Sequence, residues 1–134
     1  MILNSSQKAV TVFQKCLSQE VEEFWVAALN AGLQLIDRKL LFRGTVDQCA
    51  IHPRDIIRFV CEKNASAFIV CHNHPSGDTK PSPNDVRVTK NIYKISQLIE
   101  IPLSDHIILS REQYYSFADR GHLSKWSLAK QRRF

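Results

Sequence analysis

The chain has 134 residues, 44% hydrophobic and 23% charged, with a formal net charge of +5. This is the size of one globular domain able to fold without disulfides. The composition excludes disorder, and no apolar run approaches the ~18 residues of a membrane span.

Residues 5–18 are predicted as a helix capped by Ser5 or Ser6, with Val10, Phe13 and Leu17 at helical spacing. Residues 22–29, EEFWVAAL, suit a buried strand. Asn30-Ala31-Gly32 follows as a turn in which Gly32 can take a positive φ, and residues 33–42 return as a second strand of a hairpin. His52 enters a helix with Pro53 at its first position and a stripe of Ile56, Ile57, Val60 and Cys61. Ala67–Cys71 is a short apolar run typical of a central strand. A polar loop over 72–81 leads to a helix from about Pro83, striped by Val88, Ile92, Ile95 and Ile99. His106–Leu109 and Gln113–Phe117 complete the set as strands. The order α-β-β-α-β-α-β-β implies an α/β sandwich around a mixed sheet flanked by helices.

Lys125, Lys130, Arg132 and Arg133 carry four of the five net positive charges, so the body is close to neutral. Residues 124–134 read as a basic C-terminal tail, a solvated end that could touch nucleic-acid phosphates. Cys16, Cys49, Cys61 and Cys71 form no CxxC pair, which excludes a Cys₄ zinc knuckle and a thioredoxin-type site. They are expected as buried or half-buried thiols. The N-terminal MILNSSQKAV has no apolar stretch after a basic start, so a cytoplasmic location is expected. Trp25 and Trp126 read as packing residues.

The chemistry concentrates in Cys71–Asp85, CHNHPSGDTKPSPND. His72 and His74 are two apart at the carboxyl end of the predicted central strand, where i and i+2 side chains share a face. Eleven residues after His74, Asp85 lies in the first turn of the next helix, and a strand–loop–helix unit can fold it back over the strand end. Two imidazoles and a carboxylate suit a catalytic zinc with an open fourth position, and would also suit iron or manganese. A structural reading competes: Ser82 as N-cap, Pro83 at N1 and Asp85 at N3 make a good helix start. Asp78 is an alternative carboxylate in the loop. Cys71 alternates away from both histidines. His106 is either a neighbour of the metal site or the donor of a structural hydrogen bond in the sheet.

These residues resemble the JAMM signature of the JAB/MPN metalloprotease superfamily: a glutamate, then H-x-H, seven residues, Ser, two residues and Asp. LFRGT at 41–45, IHPRDII at 51–57, NASAFIVCHNHPSGD at 64–78, DHIIL at 105–109 and YYSFADRG at 114–121 are similar to segments of the bacterial RadC family. The resemblance covers about residues 20–123, and a single domain over 1–123 is expected. It implies a cytidine-deaminase-like JAB/MPN sandwich, without the helix-hairpin-helix domain that RadC proteins carry before it. It further implies one zinc ion on His72, His74 and Asp85, Ser82 as donor to the developing oxyanion, and a glutamate of the first strand as general base.

Glu22 and Glu23 are both candidates for that base. The family's spacing back from LFRGT selects Glu22, which shares a strand face with Phe24 and Val26. The structural reading is that both acids merely begin an exposed strand end. The implied reaction is hydrolysis of a peptide or isopeptide amide by zinc-activated water. An extended peptide is expected to dock on a strand edge beside the metal. Nucleobase deamination is excluded, because H-x-E and P-C-x-x-C are absent. Two rivals stay open. One is a metal-dependent nuclease linked to DNA repair, suggested by the family's name and the basic tail. The other is a scaffold module without catalysis.

Overall fold

The computed structural model describes residues 1–44 and 51–131. Thr45, Cys49, Arg132 and Arg133, named above, and the side chain of Lys130 lie outside the described residues. The elements run α1 (Ser6–Gln14), β1 (Glu22–Leu29), β2 (Leu35–Gly44), α2 (Pro53–Glu62), β3 (Ala67–Asn73), α3 (Pro83–Ile99), β4 (Leu103–Leu109), β5 (Tyr114–Ser116) and α4 (His122–Gln131). One five-stranded sheet has the order β2-β1-β3-β4-β5. Among the described residues only β3 and β4 pair in parallel, joined by the α3 crossover, so the sheet is mixed.

Strands β1, β3 and β4 alternate between two cores. Phe24, Val26, Phe68, Val70 and Ile108 face a cluster with Ile56, Phe59 and Val60 of α2, Ile92 and Tyr93 of α3, and Trp126 of α4. Ala27, Leu29, Ile69, Cys71, Ile107 and Leu109 face Ala9, Val10 and Phe13 of α1, with Trp25 packed alongside. Helices thus cover both faces of the sheet, the expected sandwich. Among the described residues no helix is long and apolar enough to cross a membrane.

Several boundaries differ from expectation for identifiable reasons. α1 stops at Gln14 rather than 18, because Ser18 is drawn out of helical geometry. Its N–H donates to Glu23 Oε1 (2.8 Å) and its carbonyl accepts from Asn73 Nδ2 (2.5 Å). The hairpin's left-handed residue is Leu33 (φ 61°), not Gly32. Asn30 Oδ1 accepts from the N–H groups of Gly32 and Gln34, so the turn is longer and β2 starts at Leu35. Pro53 opens α2 behind His52 as expected, but the buried stripe is Ile56, Phe59 and Val60. Cys61 is exposed, contrary to expectation, while Cys16 is half-buried and Cys71 buried.

Residues 122–131, read from sequence as part of a solvated tail and its approach, form α4. Trp126 is buried against Tyr93 (ring centroids 5.7 Å) and Leu123 packs on the same core. His122 Nε2 hydrogen-bonds the Tyr115 hydroxyl at 2.7 Å, pinning the start of the helix.

Candidate metal centre

The carboxyl end of β3 and the amino end of α3 build the site. His72 is the penultimate residue of β3, on the α3 side of the sheet, stacked on Phe24 (centroids 6.0 Å). His74 follows the strand, and its N–H still bonds Leu109 O (2.9 Å), which holds it in line with the ladder. The chain then turns at Gly77 (φ 96°), whose N–H closes on His74 O at 3.0 Å. It returns to α3 through a capping box. Ser82 Oγ accepts from Asp85 N (3.0 Å), and Asp85 Oδ2 accepts from Ser82 N (2.8 Å).

The cap and the ligand set are the same structure. The two readings of Ser82 and Asp85, competitors in sequence, coexist here, because the box fixes the rotamer that turns the Asp85 carboxylate toward the histidines. Asp85 Oδ1 lies 3.4 Å from His72 Nε2, and Oδ2 lies 3.4 Å from His74 Nε2. The two Nε2 atoms are 3.0 Å apart. One ligand atom from each of the three residues falls within a 4.8 Å span, so this group could hold a metal ion. Bonds of ~2.0–2.1 Å around a tetrahedral zinc put neighbouring ligand atoms roughly 3.3 Å apart, so the observed separations fit such an ion. His74 Nδ1 sits 2.8 Å from the Asp78 carbonyl, which can only accept, so a neutral His74 presents its lone pair at Nε2.

The electrostatics follow the same contacts. Burial pushes the His72 imidazole below its ordinary pKa, against the pull of Asp85. The Asp85 hydrogen bond raises His74. Burial works to raise Asp85, but the imidazoles of His72 and His74 beside it win and hold its carboxyl well below the usual range.

Glu22 and Glu23 separate as strand parity requires. Glu22 lines a cavity of about 390 Å³ with Phe42, His72, Ser82 and Asp85, and its charge reaches His74. The Glu23 carboxylate accepts from Ser18 N and Trp25 Nε1 and pairs with Arg43 at 3.5 Å, so it is a buried structural group. Asp78 is not a member of the ligand cluster: its carboxylate accepts from Lys80 N, and only its carbonyl serves the site.

Sequence reasoning missed two residues and left a third undecided. Asn73, between the two histidines, is buried and ties β1 to β3: its Oδ1 accepts from Glu23 N (2.7 Å) and its Nδ2 donates to Val21 O (2.9 Å). Nothing in the pattern flagged it. Thr89 sits beneath Asp85, and the i,i+4 spacing was the available signal. His106, undecided from sequence, contacts the cluster directly: its Nε2 is 2.8 Å from His72 Nδ1.

Comparison with known proteins bears on the family of the chain. Residues 3–122 match the family model described as RadC-like JAB domain. The UPF0758 protein YkfG of Escherichia coli K12 is 42% identical over 104 residues, 78% of this chain and 66% of that protein. The UPF0758 protein YfjY of the same strain is 41% identical over 109 residues, 81% of this chain and 68% of that protein. A UPF0758 protein of Thermotoga maritima is 40% identical over 121 residues, 90% of this chain and 54% of that protein. The chain therefore spans between about half and two-thirds of the length of these relatives.

Proposed function

The chain belongs to the RadC-like JAB domain family, and from that premise we propose that it is a metal-dependent hydrolase of amide bonds, with zinc held by His72, His74 and Asp85. The observation that carries the reading is the convergence of two imidazole nitrogens and a carboxylate at the mouth of a cavity that also holds Glu22. When bound, zinc supplies Lewis acidity, making water nucleophilic near neutral pH and polarising a carbonyl.

The chain's own residues do the rest. Glu22, on the metal side of β1, takes the proton of the attacking water and returns it to the leaving amine. Ser82 uses its oxygen as the helix cap, which leaves its single hydrogen to donate to the oxygen on which charge develops. Phe42 and Val88 supply apolar wall for a substrate side chain. The substrate is an extended segment of peptide or protein. It would approach along β2, which ends the strand order and runs beside the Glu22 end of β1.

The test begins with metal content. Purified protein is expected to hold about one zinc per chain, lost in His74→Ala. Peptide, isopeptide and DNA substrates are then offered to wild type and Glu22→Gln, with and without chelator. Amide cleavage that needs both zinc and Glu22 supports the reading. Chelator-sensitive DNA cleavage lost in His74→Ala would replace it with a nuclease. Absence of metal even after zinc is supplied would leave a scaffold module.

A further inference from the structure

The ligand His72 has a second ring nitrogen, and that nitrogen is not in water. His72 Nδ1 faces His106 Nε2 at 2.8 Å, and His106 Nδ1 faces Thr89 Oγ1 at 2.5 Å. Thr89 Oγ1 in turn lies 2.6 Å from the backbone carbonyl of Asp85, itself a proposed ligand. The two links through His106 are buried and the third is half-buried, with His106 1% and Thr89 0% exposed. Phe117 stacks on the His106 ring (4.9 Å, 11°) and Phe24 meets its edge (5.7 Å), so the imidazole cannot turn to another partner.

Proton accounting gives this chain one direction. A carbonyl only accepts, so the single hydroxyl hydrogen of Thr89 is committed to Asp85 O. Thr89 Oγ1 must then accept from His106 Nδ1–H. A neutral His106 with its proton on Nδ1 has only a lone pair on Nε2, which must accept from His72 Nδ1–H. That leaves His72 Nε2 as a lone pair pointing at His74 and Asp85.

We propose that His106 and Thr89 are positioning residues that hold the proton of His72 on Nδ1 and so present its Nε2 lone pair to the metal; the proposal rests on the metal-site reading above. The relay starts from the backbone of one ligand, Asp85, and ends on the ring of another, His72. Helix α3 and strand β4 thereby set a side chain of β3 without touching the ion. Groups outside the ligand shell tune metal affinity in this way by fixing ligand tautomer and ring orientation.

The test uses two readouts on wild type, Thr89→Val and Thr89→Ser. Long-range proton–nitrogen correlation on ¹⁵N-labelled, metal-free protein at about pH 8, where histidines are mostly neutral, reports which His72 nitrogen carries the proton. Zn²⁺ titration against a chelating dye reports affinity. In wild type and Thr89→Ser the proton should sit on Nδ1. Thr89→Val should populate the Nε2–H form and bind Zn²⁺ about 10–100-fold more weakly, while Thr89→Ser should bind like wild type. A wild type with the proton on Nε2 overturns the relay, and so does a Thr89→Val variant unchanged in both readouts. Should Thr89→Val fail to fold, the wild-type tautomer alone decides. A wild type with His72 protonated on Nδ1 that binds no Zn²⁺ would instead sink the metal reading and leave the relay standing.

Discussion

Glu22 and Glu23 are identical side chains on adjacent residues, yet the pleat sends them to opposite faces with opposite tasks. Glu23 is buried under three partners, so Glu23→Gln leaves a donor where an acceptor is needed. Its expected cost is on the order of 1–3 kcal/mol in urea unfolding. Glu22→Gln should leave stability and zinc content unchanged while lowering amide hydrolysis by roughly 10²–10⁴-fold, the usual contribution of a general base. The reverse pattern would exchange their roles. Asp105 offers a separate test. Burial pushes its carboxyl up to about 6, against hydrogen bonds from Ser116 Oγ (2.6 Å) and Ala118 N (2.9 Å). The fold therefore binds this proton more tightly than the unfolded chain, where the pKa is near 3.8. Its contribution is fully present below about pH 4 and is lost as pH rises through about 6. Between those limits wild type should lose on the order of 2–3 kcal/mol relative to Asp105→Asn, measured as the difference in unfolding free energy. A constant difference across that window would show that Asp105 titrates normally.

Asn73 shows how one side chain can stand in for a stretch of sheet. The β1–β3 ladder ends at Phe24 opposite His72, and the Asn73 carboxamide continues it by bonding the peptide groups on both sides of Glu22. Asn73→Ala strips those bonds and leaves the Glu23 N–H without its partner, at an expected cost of roughly 2–4 kcal/mol. Hydrogen exchange should quicken at Glu23 and its neighbours while the amides of α4 keep wild-type protection. Uniform acceleration would mean that Asn73 supports the whole fold rather than the start of β1. Such long-range bonds are also what the sequence conceals. The apolar runs of β1 and β3, the Pro53 and Pro83 helix starts and the His72–His74–Asp85 spacing were legible, because each is a local pattern. The early end of α1 depends on Ser18 meeting Asn73, 55 residues away, and the true α2 stripe depends on how the helix rolls onto the sheet. Helix α4 was hidden by its own composition. Its polar and basic residues read as a tail, and only the burial of Trp126 against Tyr93 and the tether of His122 to Tyr115 turn them into structure.

The proposed ion would bind residues from two elements of the sandwich, His72 and His74 at the end of β3 and Asp85 at the start of α3, so it closes the loop between them. The unfolded chain offers no such convergence, and binding to the folded form alone stabilises it by about 2.7 kcal/mol when free zinc is a hundredfold above its dissociation constant. For a domain of this size that corresponds to a rise in melting temperature on the order of 10 °C. Chelator should therefore lower the melting temperature of the purified protein, and added zinc should restore it. The shift should shrink as the pH falls, because His72 and His74 must be neutral and Asp85 ionised to bind, and protons compete for all three. His74→Ala should show no zinc-dependent shift at any pH, whereas Glu22→Gln, which keeps the ligands, should shift like wild type. Equal shifts in wild type and His74→Ala would place the stabilising zinc elsewhere on the molecule and remove the basis for assigning hydrolysis to this cavity.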